Sequence, residues 1–271
     1  MFKISPEDRQ KKFSEKIVPY TEAINAIVKR EKRMLDNLPA SPKGAALARL
    51  NLAEDMFNLA SHYTVLCRIF QRICGRFNED LLNETRKALY KGAAYIEDLV
   101  SPWVDVPFSD YEDKVAMLSG ISEERRYFVI RKMGLSIDLF KDIIGYSPKW
   151  KWVFVGLDGR LAAAAKNIID MKSMVANLNP RSEEYEATVF HLRMVKKLLA
   201  RAAERYREKY ELSSQITEDF QQAINFLNAL KRLHILLNER SDAEEVKKTV
   251  EVWSNKLKED IRKKRGSVGV L

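Results

Sequence analysis

The chain holds three histidines, His62, His191 and His234, and their surroundings limit the chemistry they could carry. A di-iron bundle uses Glu-x-x-His pairs, because residues three apart share a helix face and aim both ligands inward. Three positions before these histidines stand Leu59, Thr188 and Lys231. No His-Glu-x-x-His or Cys-x-x-Cys spacing occurs, so the common zinc patterns are missing too. No Gly-x-Gly-x-x-Gly, phosphate-loop or Gly-x-Ser-x-Gly pattern is present. His234 falls on an apolar helical face and reads as a hydrogen-bonded core histidine. These residues nominate no catalytic, cofactor-binding or metal-binding position.

The basic residues give a stronger pattern. Arg193, Lys197, Arg201, Arg205 and Lys209 recur every four positions. On a helix each step of four turns the row by about 40°, so it winds gradually around the cylinder. Such a ridge is a candidate anion site, as is the cluster Arg262, Lys263, Lys264 and Arg265. Glu204 and Glu208, three positions after Arg201 and Arg205, are placed to neutralise part of the ridge. Cations at a helix C-terminus are also favoured by the helix dipole alone. Asp110, Glu112 and Asp113 form an acidic cluster that suits a helix N-terminus for the same reason.

Residues 126–144 resemble a helix-turn-helix unit, with Gly134-Leu135-Ser136 as the turn between two short helices. The resemblance implies DNA binding. Ile130 stands where such units hold a small residue, and Asp138 and Asp142 on the second helix would repel phosphates. A plain two-helix corner explains the segment better. Lys149-Trp150-Lys151-Trp152 mixes charge with aromatic rings as nucleic-acid platforms do, and reads instead as a helix start with buried tryptophans.

The elements that must position these residues are helices. Leu52, Met56, Leu59, Tyr63, Leu66, Phe70, Ile73 and Phe77 alternate steps of four and three, the period of a coiled-coil-like face. Ala53, Ala60, Cys67 and Cys74 recur every seven residues beside them and let a neighbour approach. Phe13 to Leu38 forms an earlier helix, in which Pro19 should produce a kink or a break. Later helices are expected over Trp150–Val175, where Gly156, Gly159 and Ala163 add a small-residue stripe, and over Glu183–Leu212. Two more should follow, one capped by Thr217 and one carrying Trp253 and Leu257. Ser109 with Glu112, and Ser241 with Glu244, have capping-box spacing.

The expected fold is therefore all-α: an elongated bundle of about eight to ten helices, several long and coiled-coil-like. Ser101–Phe108, with two prolines and apolar residues, reads as a packed linker. It would separate a three-helix lobe at 1–100 from a helical lobe at 109–265, with a flexible tail at 266–271. One continuous helical domain fits equally well.

With 271 residues, 46% of them apolar, the chain can bury a substantial core. Cys67 and Cys74 lie about 10 Å apart along one helix and cannot bridge, which points to a reducing, cytoplasmic compartment. The longest apolar run, Trp152–Leu157, is far short of a membrane span. The net charge of +9 is uneven: residues 77–119 hold 4 basic and 9 acidic groups, whereas 191–210 hold 7 and 2.

The leading expectation is a non-catalytic cytoplasmic interaction or scaffold protein, with a protein partner or self-association and no cofactor. The alternative is a basic helical module for a polyanion, either nucleic acid or an anionic membrane. The third is a small-ligand binder or enzyme with a pocket inside the bundle, near His234 or the 101–108 segment.

Overall fold

The computed structural model describes residues 6–145 and 148–268. Among them are ten α-helices and no strand. These are α1 (Pro6–Asp36), α2 (Pro42–Cys74), α3 (Glu79–Leu99), α4 (Glu112–Ala116), α5 (Glu123–Ile144), α6 (Pro148–Asn167), α7 (Met171–Asn177), α8 (Tyr185–Lys209), α9 (Thr217–Leu236) and α10 (Arg240–Val268). The chain forms two compact units. One comprises the chain up to Val100 with Asp113–Trp150, and the other Ser101–Glu112 with everything from Lys151 onward.

In the first unit α2 is central and packs on α1, α3 and α5. Its apolar period buries Leu52, Met56, Leu59, Leu66 and Phe70, and the small stripe Ala53, Ala60 and Cys67 is buried beside them. On α3, Gly92 sits so close that an added Cβ would lie 2.6 Å from the Phe57 ring. Ser41 caps the start of α2, its hydroxyl accepting from Gly44 N, and Gly75 ends the helix at φ 71°. Phe77, expected on this helix, therefore falls outside it and is exposed. Glu31 of α1 is buried and reaches α3, accepting from Lys91 and from the Tyr95 hydroxyl at 2.6 Å. Asp55 on α2 holds Arg30 of α1.

Pro19 does not end α1, which runs through it; the proline lies on the exposed side. A larger departure is α5, which is one continuous helix through Gly134, so residues 126–144 contain no helix-turn-helix corner. The reason is packing. Val129, Ile130, Met133, Ile137, Phe140 and Ile144 keep an unbroken helical period and are all buried. That burial outweighs the cost of about 1 kcal/mol for one helical glycine. Ser136 is buried too, donating to the Phe57 carbonyl at 3.2 Å.

In the second unit α8 packs on α9, and α9 on α10. The expected helix from Trp150 to Val175 is two: α6 ends at Asn167, and Asp170 caps α7 by accepting from Lys172 N. α6 is buried along most of its length, including Val155, Leu157 and Ala162–Ala165. A Cβ on Gly159 would come within 2.7 Å of the Tyr206 ring, which accounts for the small stripe. Both capping-box expectations fail. Ser109 lies in a 3₁₀ turn, Phe108–Asp110, and donates to Asp110. α10 starts at Arg240, ahead of Ser241, after Asn238 turns the chain at φ 58°. Thr217 is the first residue of α9, whose N-cap is Ile216. Ser5 and Ser147, each followed by a proline as at a helix start, lie outside the described residues.

Candidate functional site

The α8 row divides along its length. Arg193 and Lys197 are exposed. Arg201 and Arg205 instead turn toward α6, each 3.3 Å from a carboxylate oxygen of Asp158, which is only 1% exposed. Lys209 reaches Asp219 of α9 at 2.8 Å. Arg201, Arg205 and Lys209 therefore pair between helices. Glu204 goes to Arg207 within α8 and Glu208 to Lys151 of α6, at 2.8 Å in both cases. Trp150 is buried against Phe140, and Trp152 is half-buried with the Lys151 ammonium 4.6 Å from its ring centroid and also paired with Glu208.

Two of the tail lysines reach the far end of α8. There the helix relaxes into a π-helical turn, Tyr210–Ser214, and Gln215 takes a left-handed conformation at φ 46°. A cleft of about 560 Å³ opens beside it, lined by Tyr210, Glu211, Gln215, Lys256, Asp260, Lys263 and Lys264. Its polar groups largely satisfy one another. The Tyr210 hydroxyl donates to Asp260 at 2.8 Å, Lys256 meets Glu211 at 2.5 Å, and Lys264 donates to the Gln215 carbonyl. Burial and the Asp260 carboxylate push the Tyr210 phenol up to about 12. Arg262 is exposed and does not line the cleft, and the Arg265 side chain lies outside the described residues.

A second feature is on α5 and escaped the sequence reading. Phe128, Leu135 and Leu139 are 47%, 55% and 39% exposed, on the face opposite the core. Phe128 and Leu135 border a groove of about 360 Å³, lined also by Glu54, Arg125, Arg131 and Lys132. Glu54 on α2 accepts from Lys132 at 2.9 Å and from Arg125, and these two cations hold its carboxyl below the usual range against the opposing effect of burial. The spacing of 128, 135 and 139 was available in the sequence, but dividing the helix at Gly134 concealed it.

A TP0443 family model matches residues 9–261. This chain belongs to the TP0443 family. No curated protein matches it. A solved structure described as "Computational Design of Self-Assembling Cyclic Protein Homooligomers" is 14% identical over 94% of this chain and 96% of its own, with a TM-score of 0.28. A similarity that low supports no conclusion.

In this TP0443-family chain the 101–108 segment is tied down by buried polar contacts. Lys166, at the end of α6, donates to the carbonyls of Val104 at 3.0 Å and Val106 at 3.3 Å, and to Asn167 Oδ1 at 3.0 Å. Asn167 donates in turn to the carbonyls of Ser101 and Trp103. Burial lowers the Lys166 ammonium to about 8, with Arg232 adding to the effect and Asp105 opposing it. The amine is enclosed by acceptors, so the arrangement is an anchor for the segment. Of the histidines, His62 lies on α2, His191 is buried on α8, and His234 meets Glu239 and Asp242 at the α9–α10 turn. These last three are the group that could hold a metal among the described residues. No described helix is long and apolar enough to cross a membrane.

Proposed function

We propose that this TP0443-family protein is a non-catalytic helical interaction protein, and that the outward face of α5 joins it to a second copy of itself. The observation behind this is that α5 is apolar on two faces. One is buried in its own unit, and the other carries exposed Phe128, Leu135 and Leu139. Contiguous exposed apolar side chains mark association surfaces.

The charges on this face favour a second copy as the occupant. Its N-terminal half carries exposed Arg131, with Lys132 shared with Glu54, and its C-terminal half carries exposed Asp138 and Asp142, with Lys141 3.5 Å from Asp138. Two such helices pairing antiparallel about Leu135 set the basic half of each against the acidic half of the other. A two-fold interface requires that self-complementarity. Three apolar side chains do not fill a standard interface of about 800 Å² per partner, so the expected dimer is weak and concentration-dependent. The two thiols, Cys67 and Cys74, are free, which supports a reducing, cytoplasmic setting.

Sedimentation equilibrium of the full chain tests the proposal. A concentration-dependent dimer is expected, and Leu135→Asp, which would bring two carboxylates together on the axis, should leave only monomer. A wild-type chain that stays monomeric at about 1 mM, or a Leu135→Asp dimer of unchanged affinity, refutes it.

A polyanion-binding role is the second reading, favoured by one observation. Leu212 and Ile216 are 67% and 53% exposed around the π-helical turn whose cleft Lys263 and Lys264 line. Apolar side chains beside cations suit an anionic membrane surface. Co-sedimentation with phosphatidylserine vesicles, lost in Lys263→Glu, is the corresponding test.

A further inference from the structure

We infer that His234, Glu239 and Asp242 form a binding site for a divalent transition metal of the zinc class. The three sit within nine residues, on the last turn of α9, the connecting turn and the first turn of α10. Asn238, at φ 58°, reverses the chain and brings Glu239 back over the end of α9, where its N–H donates to the His234 carbonyl at 2.9 Å.

One donor atom from each residue lies within 4.8 Å of the other two. From His234 Nδ1 it is 2.6 Å to Glu239 Oε2 and 3.9 Å to Asp242 Oδ2. Tetrahedral zinc with bonds of about 2.0–2.1 Å holds its donors about 3.3 Å apart, between those two values. The ring of His234 is nearly buried, while the Asp242 side chain is 58% exposed and free to close onto an ion.

The donor set is an imidazole nitrogen and two carboxylates, a combination that suits a borderline dication of the zinc class. Lys196 of α8 holds the other Glu239 oxygen, Oε1, at 2.7 Å and leaves Oε2 toward the imidazole. Outer contacts of this kind orient a ligating carboxylate. Three protein ligands leave a fourth position for water. The ligand order His-x₄-Glu-x₂-Asp matches none of the common zinc spacings, because the turn, and not a single helix face, assembles it.

An ordinary ion pair at a helix end accounts for the 2.6 Å contact without an ion, and titration separates the two cases. The full chain is stripped with chelator and titrated with Zn²⁺ by calorimetry, and with Co²⁺ by visible absorption. One ion per chain at micromolar affinity or tighter is expected, with Co²⁺ bands of tetrahedral intensity. Asp242→Asn, at an exposed position, should weaken binding at least tenfold, and His234→Asn should abolish it. Leu135→Asp should bind as the wild type does, which keeps this site independent of the α5 surface. The absence of stoichiometric binding, or binding unchanged in both Asp242→Asn and His234→Asn, overturns the inference.

Discussion

Lys166→Met separates a buried charge from the packing around it. Lys166 is 6% exposed, and burial lowers it to about 8 from an ordinary value near 10.5. Below pH 8 the amine is protonated in both folded and unfolded chains, and the folded chain bears the full cost of burying it. Between pH 8 and 10.5 the unfolded chain binds more protons, so stability rises with pH across that window. The size follows from the two values. One pKa step corresponds to about 1.4 kcal/mol, so the full effect is about 3 kcal/mol, of which about 2.5 kcal/mol is recovered between pH 7 and pH 10. Other groups work in the opposite sense. Burial pushes the Cys67 thiol up to about 11 and Tyr210 up to about 12, so each withdraws stability as pH climbs past its unfolded value. Both are present in the variant as well, and the difference between the two proteins isolates Lys166. Urea unfolding followed by tryptophan fluorescence at several pH values measures it; Trp103, Trp152 and Trp253 all belong to the second unit. Wild type should gain about 2.5 kcal/mol on Lys166→Met from pH 7 to pH 10. A difference that stays flat would mean that Lys166 titrates as a solvated lysine, and that the 101–108 segment is not seated on it.

Asp158→Asn removes the buried carboxylate shared by Arg201 and Arg205. It should cost about 3 kcal/mol in urea unfolding, the low end for a broken buried pair because each arginine retains partial access to water. Gly92→Ala should cost about 1–3 kcal/mol, since the new methyl meets the fully buried Phe57 ring at 2.6 Å. Gly120→Ala, with nothing within 4 Å of the added atom, should stay within about 0.5 kcal/mol of wild type by the same assay.

What the sequence disclosed follows from the range of each interaction. The α2 face, the α6 small-residue stripe and the all-helical class rest on periods of three and four, which a reader sees within one segment. Gly134 misled because a glycine is a local signal and the burial that overrides it is not. Val129 to Ile144 remain helical through the glycine because α2 lies across them. The α10 start departs from the expected one for a related reason: Ser241 has the right spacing to Glu244, but Asn238 and Glu239 close the turn ahead of it. The polar anchors were out of reach altogether. Lys166 finds its carbonyls about sixty residues away, and nothing near Val104 identifies them as its acceptors.

The α8 row shows why a surplus of cations is a weak guide to an anion site. Its rotation of about 40° per step, legible from the spacing alone, means that a row starting in solvent must drift toward a neighbour. Arg193 and Lys197 remain outside, while Arg201, Arg205 and Lys209 arrive against Asp158 and Asp219. Reversing charge at two adjacent members should therefore give unlike results. Lys197→Glu changes an exposed position and should leave unfolding within about 0.5 kcal/mol of wild type. Arg201→Glu sets a carboxylate against the buried Asp158 and should cost at least as much as losing the pair, about 3 kcal/mol. Binding to a polyanion lost in Arg201→Glu alone would then report unfolding, whereas loss in Lys197→Glu would report contact. Equal stability of the two variants would mean that Asp158 is solvated and that the row lies on the surface throughout.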